Sequence, residues 1–179
     1  SRPQLPAGTE LFRPLNSGRM TSEFGSRCYN DSKGRRVCDY HLGIDMTQSG
    51  SSVPVYSAGT GYVSDIWYRY KKGGNMVFVY HKVNGKNYTI LYAHLRTINV
   101  SKGDYVTRNT VIGTMGGNPA TEYWDEGSSG QHLHFQIATG LYGEDYLSWP
   151  TFESRCFNPR DIVNFPKLGE YFDDRLTKY

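Results

Sequence analysis

Residues 76–95, MVFVYHKVNGKNYTILYAHL, constrain this chain more than any other stretch. Two runs rich in β-branched and aromatic residues flank Asn84-Gly85, the strongest short-range signal for a two-residue hairpin. With Asn84 and Gly85 as the loop, Val83 faces Lys86, His81 faces Tyr88 and His94 lies opposite Asn75. In that register His81 and His94 share a face. The six-residue step from Tyr88 to His94 spans ~20 Å of strand, so the two histidines cannot serve one small site. A long central hairpin commits the chain to a sheet. The rest agrees, with short apolar runs broken by 20 Gly and 8 Pro, and no long amphipathic helix. The expected fold is therefore mainly β, with few short helices.

The flanking segments read the same way. Residues 20–25 form a short strand candidate ending in Gly25. Residues 53–67 read as two short strands around a corner at Gly59 and Gly61, and residues 100–116 as strand–turn–strand. Residues 118–131 form a polar loop carrying Tyr123, Trp124, Asp125 and Glu126. Residues 132–138, HLHFQIA, alternate strictly: Leu133, Phe135 and Ile137 on one face, His132, His134 and Gln136 on the other. Residues 158–163 suit one helical turn. The chain length of 179 residues fits one domain with a core of about 13–163, an irregular lead-in over 1–12 and a charged, surface-covering tail over 164–179.

Charge and cysteine content narrow the setting. A net charge of +3, with no run of more than two basic residues, is too weak to argue for nucleic acid but suits an anionic surface. No stretch reaches the roughly 18 apolar residues a membrane-spanning helix needs. No signal peptide is recognisable and the first residue is Ser1, as expected for a processed or excised domain. Of the three cysteines, Cys28 and Cys38 flank a short polar loop, and a disulfide between them would imply an oxidising compartment. The spacing leaves open the pairings 28–156 and 38–156, and equally three free thiols.

The histidines carry the chemistry. On a strand His132 and His134 point the same way, ~6.6 Å apart. His41 and Asp45 are both good zinc ligands, but four extended residues span ~13 Å, too far for one metal. The chain must bend between them, and Gly43 is where it can. His94 ends the run YTILYAH, and His81 reads as a core or exposed residue. A catalytic zinc takes three protein ligands and an open position. Two histidines and one carboxylate fill that requirement and leave two histidines for proton transfer.

These segments, His41-Leu-Gly-Ile-Asp45, Tyr92-Ala-His94-Leu95 and His132-Leu-His134-Phe135, resemble in order the H-x-G-x-D, Y-A-H-L and H-L-H-F motifs of lysostaphin/LytM-type metallopeptidases, peptidase family M23. Pro54 to Gly61, Lys102 to Val106 with Ile112-Gly113, and Asn158-Pro159 extend the resemblance across about residues 13–163. It implies an antiparallel β-sheet core with a long groove between loops, one Zn²⁺ held by His41, Asp45 and His134, and His94 and His132 as catalytic residues. One of the two would take the proton of the attacking water and pass it to the leaving amine while the other stabilises the oxyanion; sequence does not assign which. The implied substrates are peptidoglycan stem peptides or interpeptide bridges. The implied location is exported: periplasmic, wall-associated or extracellular. Tyr40, Tyr92, Tyr123 and Trp124 are candidates to line the groove.

Gln131, Gln136 and Arg108-Asn109 depart from residues frequent in the family, and no ligand or catalytic histidine is lost. The Cys28–Cys38 segment and residues 123–126 look like insertions flanking the groove, bearing on substrate preference and not on chemistry. Two other roles carry the same domain: a catalytically idle regulator or binding module of wall hydrolases, and a component of a phage or secretion assembly.

Overall fold

The computed structural model describes residues 2–179. One antiparallel sheet path dominates. Its order is Tyr105–Val106, Gly61–Tyr70, Gly74–Val83, Lys86–Ile98, Leu133–Thr139, Ile44–Thr47, Gly18–Ser22 and Tyr171–Phe172. The central hairpin turns at Asn84-Gly85, and His81 pairs with Tyr88 and Val83 with Lys86, as the turn chemistry dictates. A separate two-stranded ribbon, Gly25–Asn30 with Arg36–His41, carries the disulfide between Cys28 and Cys38; Cys156 is free. Among the described residues no helix is long and apolar enough to cross a membrane.

Alternation along the strands divides the sheet into two faces. Val77, Val79, Tyr88, Ile90, Tyr92, Leu133, Phe135 and Ile137 point into the main core with Met20, Ile44 and Met46. Met76, Phe78, Leu91, Ala93 and Ala138 lie on the opposite face under Phe152, buried on the short helix Trp149–Ser154. That helix is capped by Ser148, which accepts the Thr151 N–H at 3.2 Å.

The core reaches beyond residues 13–163 at both ends. Leu11 is buried, and Ala7–Gly8 runs parallel to the hairpin's first strand. Phe165 and Phe172 are buried in the main core, and Tyr171–Phe172 adds an edge strand. Arg13, fully buried, donates to the carbonyls of Asn164, Asp174 and Thr177 at 2.9–3.1 Å, tying the chain just after the lead-in to the C-terminal segment. Neither end is a mere surface wrap, because each supplies apolar side chains and chain-tying hydrogen bonds.

The hairpin register slips once, and the slip decides the site. Val77 pairs with Tyr92, but Asn75 pairs with Leu95 instead of His94. Met76 therefore opposes two residues, Ala93 and His94, which is a β-bulge. His94 takes the left-handed conformation, φ 61°. The Asn75 amide bridges the gap by donating to the carbonyls of Leu95 (3.0 Å) and Arg96 (3.2 Å). Strict alternation would have sent His94 into the core, on the same face as His81. The bulge turns it onto the other face and returns Leu95 to the core.

Candidate metal centre and groove

The strand Leu133–Thr139 pairs with Ile44–Thr47 on one side and with the hairpin on the other, setting His134 opposite both Asp45 and Ala93. His41 comes from the end of the disulfide ribbon. Between His41 and Ile44 the chain leaves the ribbon and enters the main sheet. Gly43 is required there for space: a Cβ would stand 2.6 Å from the Phe135 carbonyl and 2.8 Å from His134 Cε1. Its φ is not positive, so close approach and not conformational freedom selects glycine.

His41 Nε2, His134 Nδ1 and Asp45 Oδ1 form a triangle with edges of 3.1, 3.0 and 3.2 Å. The opposite nitrogens are already committed. His41 Nδ1 donates to the Glu23 carbonyl at 2.9 Å, and His134 Nε2 donates to Gln136 Oε1 at 2.7 Å. Gln136 is itself oriented by donating to Cys156 Sγ at 3.2 Å. Both imidazoles thus turn a lone pair toward the Asp45 oxygen. Three converging ligand atoms of this kind could hold a metal cation between them. When the two rings are protonated instead of facing a cation, burial would raise the Asp45 carboxyl, but hydrogen bonding from His134 and His41 outweighs it and holds that carboxyl well below the carboxylate range. Burial alone would lower His134; hydrogen bonding to Asp45 overrides it and raises that imidazole. Ligands about 2.0–2.1 Å from a tetrahedral zinc lie roughly 3.3–3.4 Å apart, so the donor set and its spacing fit that ion. Arg27 on the ribbon reaches the remaining Asp45 oxygen at 3.3 Å while bonding Asp39 at 2.8 and 3.2 Å.

Two more rings stand beside the triangle. His94 and His132 have centroids 4.5 Å apart, and His94 lies 6.2 Å from His134. His94 Nδ1 donates to Asp125 Oδ2 at 2.6 Å, and His132 Nδ1 donates to the Gly130 carbonyl at 2.8 Å. Each leaves Nε2 as the nitrogen able to accept a proton. Burial, followed by repulsion from His94, pushes His132 down to about 4. All five residues line an open groove of about 1230 Å³.

A sequence profile of peptidase family M23 matches residues 39–145, a span that contains all five of these residues. The chain belongs to peptidase family M23. Its similarity to an uncharacterized lipoprotein, YgeR, of Escherichia coli K12 is 29% identity over 142 residues, 74% of this chain and 52% of that protein. The chain thus spans about half the length of that curated relative. In structure it resembles the catalytic domain of the antimicrobial peptidase lysostaphin from Staphylococcus simulans, with TM-score 0.59 and 24% identity over 80% of this chain and 90% of that one. It also resembles a zinc-containing peptidase from Vibrio cholerae, with TM-score 0.54 and 29% identity over 73% of this chain and 37% of that one.

The residues lining the groove do not include the four aromatics singled out from sequence, Tyr40, Tyr92, Tyr123 and Trp124. Tyr92 is fully buried in the core, where its hydroxyl accepts the Ala58 N–H at 2.8 Å; the alternation Tyr88, Ile90, Tyr92 explains why. Tyr40 is exposed on the outer ribbon against Phe24. Tyr123 is exposed, and Trp124 lies under Arg69 at 4.0 Å. The groove is instead flanked by Tyr29, Tyr70 and Trp149. No local motif marks these three, because elements distant in sequence bring them together. Residues 123–126 do more than border the groove. Their Asp125 is buried behind His94.

Proposed function

We propose that this domain is a zinc-dependent endopeptidase that hydrolyses peptide cross-links or bridges of bacterial peptidoglycan. The observation that carries the reading is the triangle of His41, Asp45 and His134, with every competing nitrogen tied off, beside a pair of further histidines in an open groove. Membership of family M23 supports the peptidase class. His41, Asp45 and His134 would hold the zinc, which when bound supplies Lewis acidity toward a peptide carbonyl and toward water.

The chain's own residues do the rest. His94 and His132 present Nε2 to the groove with Nδ1 already donating, so each ring can accept a proton there without first moving one. Once protonated, the same atom can return the proton to a leaving amine or donate to a developing oxyanion. The two rings stand close enough to serve one scissile bond from adjacent positions. An open groove admits a peptide within a larger network, as wall cross-links require. A wall-facing, exported location agrees with the Cys28–Cys38 disulfide, which persists in oxidising compartments.

The test is mass spectrometry of fragments released from purified peptidoglycan by zinc-loaded and by chelator-stripped protein. Zinc-dependent release of fragments with new peptide termini is expected. No release from Gly-bridged or directly cross-linked walls, with one zinc bound, would overturn the assignment in favour of an idle binding module.

A further inference from the structure

We propose that Asp125 is a positioning residue for the catalytic histidine His94: its carboxylate takes the Nδ1–H, fixes the ring's tautomer and rotation, and leaves Nε2 toward the groove. The inference rests on the reading of His94 as catalytic, and it separates His94 from the other site histidines. His41, His132 and His134 each give their second N–H to a neutral oxygen, from Glu23, Gly130 and Gln136 respectively. Only His94 gives it to a carboxylate, at 2.6 Å and with both side chains buried. Such charge-assisted bonds are roughly twice as strong as neutral ones.

Three features show a built contact. His94 is delivered by a bulge with a left-handed backbone, a strained conformation that persists only where surrounding contacts fix it. The backbone packed against the pair is glycine at Gly74, φ 63°, where a Cβ would stand 2.5 Å from Asp125 Oδ2 and 3.4 Å from His94 Cα. The loop around Asp125 is pinned from several sides. Asp125 Oδ1 accepts the Gly127 N–H at 3.2 Å, Glu126 N–H donates to the Lys71 carbonyl at 2.9 Å, and buried Glu122 holds Arg96 at 3.1 Å. The carboxylate is therefore immobile with respect to the ring it orients.

The experiment compares zinc-loaded wild type, Asp125→Asn, Asp125→Glu and His94→Ala on cross-linked wall fragments, with zinc content and thermal midpoint recorded for each. Asp125→Asn is expected to lower kcat roughly a hundred-fold or more, with KM within about three-fold and one zinc retained, because the amide cannot enforce the tautomer. Asp125→Glu should recover part of the loss. In the His94→Ala background Asp125→Asn should cost nothing further, since it acts only through that ring. Long-range ¹H–¹⁵N spectra of the wild type should show His94 protonated at Nδ1. A wild-type His94 protonated at Nε2 alone would overturn the inference without recourse to a variant. So would a kcat for Asp125→Asn within about two-fold of wild type, or an equal further loss in the His94→Ala background. A zinc-loaded wild type that releases no fragments would instead refute the functional reading itself.

Discussion

His81 offers a measurement of the fold that is independent of the groove. The ring is fully buried in the core. Its Nδ1 donates to the Thr60 carbonyl at 2.8 Å, and Nε2 has no partner. Burial pushes its pKa from 6.5 to about 4. The unfolded chain then binds the proton at higher pH than the fold does. The stability that neutral His81 contributes is full above pH 6.5 and is lost as pH falls toward 4. A shift of this size is worth about 3 kcal/mol in all, of which about 2 kcal/mol disappears between pH 8 and pH 5. The assay is urea unfolding of wild type and His81→Asn, both metal-free, at pH 8, 6.5, 5.5 and 5. The asparagine keeps an N–H near the Nδ1 position and does not titrate. Its fixed packing cost offsets the two curves at every pH, while every other titrating group cancels in the difference. The gap between wild type and variant should narrow by about 2 kcal/mol from pH 8 to pH 5. Parallel curves would show that His81 is not held neutral, and the burial argument for it would fail.

Three further substitutions separate structural from chemical roles. Gly43→Ala puts a methyl group against His134 and the Phe135 carbonyl; zinc affinity, measured by competition with a chromophoric chelator, should fall roughly ten-fold or more, and an unchanged affinity would contradict the packing account. Replacing Cys28 and Cys38 together by serine opens the short ribbon; the loss in urea unfolding should not exceed about 3 kcal/mol, the loop-entropy value for this span. Tyr92→Phe removes the acceptor of the Ala58 N–H; it should cost about 1–2 kcal/mol of stability and leave kcat unchanged, whereas a selective loss of kcat would return Tyr92 to the groove.

Local chemistry made much of this legible. Asn84-Gly85 set the hairpin and its register as far as Val77. The alternation of HLHF placed Leu133 and Phe135 inward and His134 on the site side. The motifs grouped five residues that the fold brings to one groove. What escaped the sequence depends on contacts between distant segments. The bulge at His94 exists because the Asn75 amide substitutes for the strand ladder, and no residue type announces that in advance. Asp125 lies 31 residues from His94 in a polar loop, where an aspartate ordinarily reads as a turn residue. The ends looked peripheral because the lead-in has no regular pattern and the tail is charged, which hides Leu11 and Phe172, single apolar residues that complete the core. Tyr92 was within reach of sequence reasoning, since its parity with Tyr88 and Ile90 points inward.

Hydrolysis in H₂¹⁸O tests the central claim most directly. Cross-linked wall peptides treated with zinc-loaded protein should gain one ¹⁸O in each newly formed carboxyl terminus, and none when His41, Asp45 or His134 is replaced by alanine. Unlabelled and uncleaved peptides, from protein carrying one zinc, would contradict the account and make this a binding domain.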